Sequence, residues 1–262
     1  MVQPQTRRVL QLSDPHLLAD PAGRCRGRQS LAWLAHGLEQ ALAAAAPVDL
    51  LLLTGDLCQD ESWGGYVRLR ELLEPLELPV ALLGGNHDDA VLMRAALGRR
   101  ATIAPACVAL GAWRVLLLSS HRPGAVAGWI EAPQLAWLAE QLAAGTGPVL
   151  VALHHPPLPI GSAALDGIGL QRPGALLEPL LASPRVRGVV FGHVHQHWAG
   201  SLARPDGGDP LPLWACPSTL APFAAAQPCP LGRPDWPGGQ LLELRDDGGL
   251  ATTLLRWPPL PE

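Results

Sequence analysis

Seven residues carry side chains that give oxygen or nitrogen to a metal ion and stand where short apolar runs break off: Asp14, His16, Asp56, Asn86, His154, His193 and His195. Carboxylate, imidazole and amide donors with no thiolate among them suit borderline or hard divalent ions and disfavour a soft-metal site. Asp14 and His16 are separated by one residue, as are His193 and His195; in extended backbone each pair points to one side and converges on one region. Glycine precedes both Asp56 and Asn86, which lets the chain turn sharply at a strand end and clears a side chain from space that ions must enter. The Asp56 carboxylate can bridge two ions. The neutral amide of Asn86 keeps the donor set from accumulating negative charge toward an anionic phosphate. One histidine at a strand end is ordinarily a hydrogen-bonded structural residue, so no single one of these donors carries the reading.

Positioning these groups requires strands that end together. Apolar, β-branched runs at Val9–Leu12, 48–53, Val80–Leu83, 115–118, 149–153 and Val186–Phe191 each stop at a polar cluster, and amphipathic stretches separate several of them. This is an α/β pattern, and in open α/β sheets ligands gather outside the carboxyl ends of the strands. Helices are predicted over 31–46 with Ser30 as N-cap, 66–73, Ala90–Leu97, 133–143 and 174–181. Ala203 to Pro210 reads as a loop, Pro222 to Gly239 as a long Pro-rich irregular segment, and Leu241 to Arg256 as a hairpin turning at Asp246-Asp247-Gly248-Gly249.

Composition narrows the partners. The 262 residues are 48% hydrophobic and 16% charged, enough for one large α/β domain spanning residues 1–262 and too apolar for a disordered chain. A net charge of −4 leaves no footprint for a polyanion, so nucleic acid is not an expected partner. Five cysteines, at 25, 58, 107, 216 and 229, form no C-x-x-C pair and read as reduced structural thiols. Met1 to Arg8 lack the apolar stretch of a secretory signal and no run is long enough for a membrane span, which gives the expectation of a cytoplasmic protein. Gly84-Gly85 is not followed by G-K-[ST], so no P-loop is present. Ser119-Ser120-His121 lacks a G-x-S-x-G elbow and reads as a strand-end turn. Arg24, Arg26 and Arg28 read as a solvated basic loop, and His36, His121 and His197 as surface or supporting residues.

Taken in order, D-x-H at Asp14-His16, G-D at Asp56, G-N-H-D at Gly85–Asp88, H-x-P at His154–Pro156 and G-H-x-H at Gly192–His195 resemble the calcineurin-like metallophosphoesterase superfamily. The resemblance implies a four-layer α/β/β/α sandwich with two mixed sheets. It implies that Asp14, His16, Asp56 and His195 hold one ion and that Asp56, Asn86, His154 and His193 hold the other, with His155 supporting the site. It also implies that His16, Asp56, Asn86 and His87 border the substrate and that His87 is the catalytic residue facing the phosphate, its ring oriented by Asp88. Two ions about 3.5–4 Å apart would polarise the phosphoryl oxygens, supply a hydroxide at neutral pH and clamp an in-line displacement. Iron or manganese is the expected pair, with zinc compatible.

Within that superfamily the chain is similar to the bacterial class III cyclic-nucleotide phosphodiesterases, which hydrolyse 3',5'-cyclic AMP to 5'-AMP. The similarity rests on His154–Gly161, Leu165-Asp166, Pro217-Ser218-Thr219 and Asp235–Gly239. The chain departs from that group at Leu118-Ser119-Ser120, at Arg172 and at Gly239-Gln240. A small cyclic nucleotide or another phosphodiester is the implied partner, taken by a monomer or dimer. A glycerophosphodiesterase, a nucleotide-lipid pyrophosphatase or a broad phosphatase would use the same residues, and a scaffold that had lost its metals would keep only the fold.

Overall fold

Alternation along the central strands decides which way each side chain faces. Val9, Leu50, Leu52, Ala81 and Leu83 pack into an apolar layer shared with Trp113, Val115, Leu117, Leu150, Ala152 and Val190. Their neighbours Leu10, Leu12, Leu51, Leu53 and Leu82 face the opposite way, onto helices. Strands apolar on both sides must be covered on both sides, and this chain meets the requirement by stacking two sheets and flanking each with helices. The computed structural model describes residues 5–260; residues 1–4 and 261–262 of the span expected to form one domain lie outside the described residues.

The first sheet has the order Leu250–Arg256, Gly238–Arg245, Thr6–Leu12, Leu50–Thr54, Val80–Leu83, Thr102–Ile103. The second runs Trp198–Leu202, Leu211–Ala215, Val186–Phe191, Val149–Ala152, Trp113–Leu117, Ala106–Leu110. Each has four parallel strands with antiparallel neighbours added at one or both edges. Helices Ser30–Ala45, Trp63–Leu73 and Ala90–Leu97 cover the outer face of the first sheet, and Ala132–Ala143 and Gly174–Ala182 cover that of the second. Apolar layers between helix and sheet, sheet and sheet, and sheet and helix make the α/β/β/α arrangement. Trp113 is fully buried and donates its indole N–H to the carbonyl of Arg245 across the two sheets, at 2.7 Å.

The predicted elements are present with shifted ends. Ser30 is the first residue of its helix and not its N-cap: Gln29 holds that place without a side-chain bond, and the buried Ser30 hydroxyl has no partner among the described residues. The helix predicted from residue 66 starts at Trp63, because the Ser62 side chain accepts from the N–H of Gly65. From the last core strand to Gly238 the Pro-rich segment carries no helix or strand, as expected. No helix of the described residues is long and apolar enough to cross a membrane, and all five cysteines are unpaired.

Candidate metal centre

The seven expected donors meet where the parallel strands of both sheets end, but not by extended alternation. Asp14, His16, Asp56, His193 and His195 have φ values of 53°, 49°, 49°, 69° and 55°. The one-residue spacings therefore converge through left-handed turns, which corrects the extended-backbone expectation. Non-glycine residues in this region carry backbone strain of about 1–3 kcal/mol each and persist there only where the surroundings hold them. Here the turns hold one another. The N–H groups of Asp14 and His16 bond the carbonyls of Gly55 and Asp56 at 3.1 and 3.0 Å, and the N–H of His193 reaches the Asp14 carboxylate at 3.2 Å. The glycines meet the expectation of close approach: a Cβ at Gly55, whose φ is +98°, would lie 2.4 Å from His154 Nδ1, and one at Gly85 would lie 2.2 Å from Asp56 Oδ1.

Two groups of donors share Asp56. Its Oδ2 lies 3.8 Å from His16 Nε2 and its Oδ1 lies 3.4 Å from His154 Nε2. On the first side His16 Nε2 and His195 Nε2 are 3.0 Å apart, and His195 Nε2 is 3.5 Å from Asp14 Oδ1. On the second side His193 Nδ1 lies 3.3 Å from His154 Nε2 and 3.0 Å from Asn86 Oδ1. The His154 ring donates Nδ1–H to the carbonyl of Thr54, and the His195 ring donates Nδ1–H to the carbonyl of Ala221, both at 2.8 Å. These bonds fix the tautomer and turn the Nε2 lone pairs inward. Nitrogen thus faces nitrogen across each group, and the buried His16 Nδ1 and His193 Nε2 have no partner among the described residues. Inward nitrogen and oxygen donors at ligand spacing fit two cations, one on each side of Asp56.

Protonation agrees with that chemistry at His16, His193 and His195. Burial pulls His16 down to about 4 and His193 to about 3, and holds His195 well below its usual range; neutral imidazole is the form that ligates. Burial also works against the charged form of His154, but the adjacent Asp56 carboxylate overrides it and pushes His154 up to about 9. Asp56 stays well below the carboxylate range because the His154 pair outweighs the opposing effect of burial. Burial raises Asp14 to about 7.

His155 neighbours His154 and His193 closely enough to complete a donor triplet, yet both its nitrogens are engaged. Nε2–H donates to the carbonyl of Val126 at 3.0 Å, and Nδ1 accepts from the Ser120 hydroxyl at 2.8 Å. Ser120 therefore supports a histidine. His121 donates Nδ1–H to the carbonyl of Gly85 at 2.9 Å, while His36 bonds Pro258 at the surface and His197 joins neither donor group.

His87 lies half-buried at the mouth, edge-on to His16 with ring centroids 5.3 Å apart. The expectation that Asp88 orients this ring is corrected. The buried Asp88 carboxylate accepts from the N–H groups of Leu57, Cys58 and Gly85 and from the Tyr66 hydroxyl, at 2.8–3.0 Å; it shapes the loop backbone. The ring is held by Gln59, whose amide nitrogen lies 3.1 Å from His87 Nδ1. An amide nitrogen only donates, so Nδ1 accepts and the proton of the neutral ring sits on Nε2. The Cys25 thiol contacts the other end of that amide, at 3.5 Å. No motif marks Gln59, and the pairing spans 28 residues of sequence. Ser218 was legible only as part of a short segment: its hydroxyl donates to the carbonyl of Asp14 at 2.8 Å and accepts from the N–H groups of Leu220 and Ala221.

Residues 7–197 match the calcineurin-like phosphoesterase family model. The chain is 48% identical over 261 residues to a probable cyclic nucleotide phosphodiesterase of Synechococcus sp. (strain WH7803), covering 95% of this chain and 96% of that one. It is 40% identical over 259 residues to the 3',5'-cyclic adenosine monophosphate phosphodiesterase CpdA of Pseudomonas aeruginosa, covering 95% and 89%. Among solved structures it resembles a dimetal phosphatase from Danio rerio, with a TM-score of 0.64, 14% identity and coverage of 95% and 99%. It also resembles a purple acid phosphatase from yellow lupin seeds, with a TM-score of 0.66, 14% identity and coverage of 97% and 52%.

Proposed function

The chain belongs to the calcineurin-like phosphoesterase family, and on that premise we propose that it hydrolyses 3',5'-cyclic AMP to 5'-AMP at a binuclear metal centre. In this reading Asp14, His16, Asp56 and His195 hold one ion, and Asp56, Asn86, His154 and His193 hold the other. The observation that carries it is Asp56, with one oxygen 3.8 Å from His16 and the other 3.4 Å from His154. Iron or manganese suits the nitrogen and oxygen donors, and zinc is compatible. When bound, the ions supply Lewis acidity toward the phosphoryl oxygens and a nucleophile at neutral pH.

The residues do the rest. His16, Asp56, Asn86 and His87 border the phosphate. As the bond from phosphorus to the 3' oxygen breaks, that oxygen gathers charge and needs a hydrogen-bond donor or a proton. His87 Nε2–H is the group assigned to supply it, since Gln59 occupies Nδ1. Asn86 adds an oxygen donor without adding charge. Five unpaired cysteines suit the reducing cytoplasm.

Purified protein loaded with manganese or iron is expected to convert cyclic AMP to 5'-AMP with two ions per chain. Formation of 3'-AMP would reverse the assigned leaving group. Two bound ions without turnover of cyclic AMP would move the substrate to another phosphodiester, and a chain that binds no metal when metal is supplied would overturn the reading.

A further inference from the structure

The basic loop of the sequence lies at this site. Arg24–Cys25 and Arg28–Gln29 pair as a short ribbon, and its two turn residues, Arg26 and Gly27, have φ of 52° and 79°. Two positive φ values are the requirement of a tight hairpin turn that favours asparagine and glycine, so an arginine there is held against its preference. Arg28 bonds the carbonyl of Leu220 and lies over the Trp33 ring, 4.2 Å from its centroid. That ties the ribbon to the start of the Pro-rich segment. Cys25 contacts Gln59, the residue that holds His87. The ribbon thus borders the mouth beside His87.

Arg26 itself sits with its guanidinium carbon 4.5 Å from the centroid of Phe223. Phe223 is stacked on His195, with centroids 4.0 Å apart and planes within 9°. A parallel imidazole at that spacing fills one face of the phenyl ring, so Arg26 lies against the other. Imidazole and phenyl are stacked and the guanidinium sits over the phenyl, a series leading outward from a donor of the metal centre. Arg26 is exposed, and among the described residues it has no hydrogen bond or ion pair. Its five donors and its outer face are uncommitted.

We propose that Arg26 binds the nucleobase of the substrate, the purine continuing the stack on the outer face of a guanidinium that Phe223 holds in place. The inference rests on the cyclic-nucleotide reading above. Guanidinium planes stack on aromatic rings and on bases, and in a 3',5'-cyclic nucleotide one sugar ring separates base from phosphorus. With the phosphate at the ions, the base must lie against a wall a short distance out. The His195–Phe223–Arg26 stack is such a wall, and it ends in a planar cation suited to an anionic ligand.

The test compares metal-loaded wild type with R26A and R26K on cyclic AMP and on base-free ribose 3',5'-cyclic phosphate. Loss of one stacking contact corresponds to roughly 5- to 150-fold in binding. R26A is therefore expected to raise KM for cyclic AMP about 10-fold or more, with kcat little changed and the base-free substrate unaffected. R26K keeps the charge without the plane and should retain most of the defect. An equal rise on both substrates with rescue by R26K would make Arg26 a charge for the phosphate and overturn the proposal, as would no change in R26A.

Trp129 offers a rival platform, with Arg122 and Arg172 at 5.5 and 5.3 Å from its ring. A KM defect in W129A and not in R26A would place the base there instead. Calorimetric binding of 5'-AMP against ribose 5-phosphate separates this proposal from the choice of reaction. Wild type should prefer 5'-AMP and R26A should lose that preference even if cyclic AMP is not turned over; a preference kept in R26A would overturn the proposal.

Discussion

The two halves of the metal centre are built by different means. The His154/His193 half is fastened at a strand end and by the loop between Leu117 and Ala132: His154 bonds the carbonyl of Thr54, the last residue of a central strand, and His155 behind it is locked by Ser120 and Val126 of that loop. The His16/His195 half is fastened from outside the sheets. His195 bonds Ala221 and stacks on Phe223, both beyond the last core strand, and Ser218 ties that region to the Asp14 turn. Charge divides as well, since the His16/His195 half contains Asp14 and the His154/His193 half the neutral Asn86. The lesson is that one group of donors is held at a strand end while the other depends on a long irregular segment, and Asp56 alone lies between both.

The variant with the largest expected effect removes what the halves share. Asp56→Ala should lose both ions and lower kcat/KM on the order of 10^4-fold; metal analysis that still finds two ions would show that the carboxylate does not bridge. Asn86→Ala should empty the His154/His193 half only, with one ion retained and turnover reduced on the order of 10^3-fold. Wild-type metal content and rate in that variant would remove Asn86 from the donors. His87→Ala belongs to neither half and should keep both ions while kcat falls on the order of 10^2-fold; loss of an ion would make His87 a ligand.

Ser218→Ala sharpens the contrast from the other side. By loosening the segment that supports His195, it should weaken the ion of the His16/His195 half about 10- to 100-fold, the usual scale for partners that orient a ligand, and leave the other unchanged. Equal weakening of both ions would deny the division. The smallest signal is in protons. In the metal-free protein Asp14 is raised to about 7 and His154 to about 9, so both carry protons near neutrality, whereas His16 and His193 are already neutral. Metal uptake must then release protons, and affinity should rise with pH across that window. Calorimetric titration in buffers of different ionisation enthalpy would expose the release, and a heat independent of buffer would contradict it.

What could be read from sequence follows the same division. Apolar runs ending in Asp, Asn or His located the strands and the donors, because a buried strand and its polar end are adjacent in sequence. The manner of convergence is not legible locally: the spacing suggests extended backbone, and only the packing of both sheets holds these five non-glycine residues at positive φ. Strands 106–110, 198–202 and 211–215 give no clear signal in the sequence because they are short, half-exposed, and interrupted in part by Gly200 and Pro212. Gln59, Phe223 and Arg26 carry no motif, and each acts on a histidine, or on a ring stacked on one, that is distant in sequence. Asp88 follows His87 directly and invited a pairing, but three backbone N–H groups and the Tyr66 hydroxyl claim its carboxylate.

Anomalous X-ray diffraction from manganese-loaded crystals tests the central claim most directly. Two peaks about 3.5–4 Å apart, one on each side of the Asp56 carboxylate and each within bonding distance of its own pair of histidines, are the expected result. A single peak, or two that do not share Asp56, would contradict it.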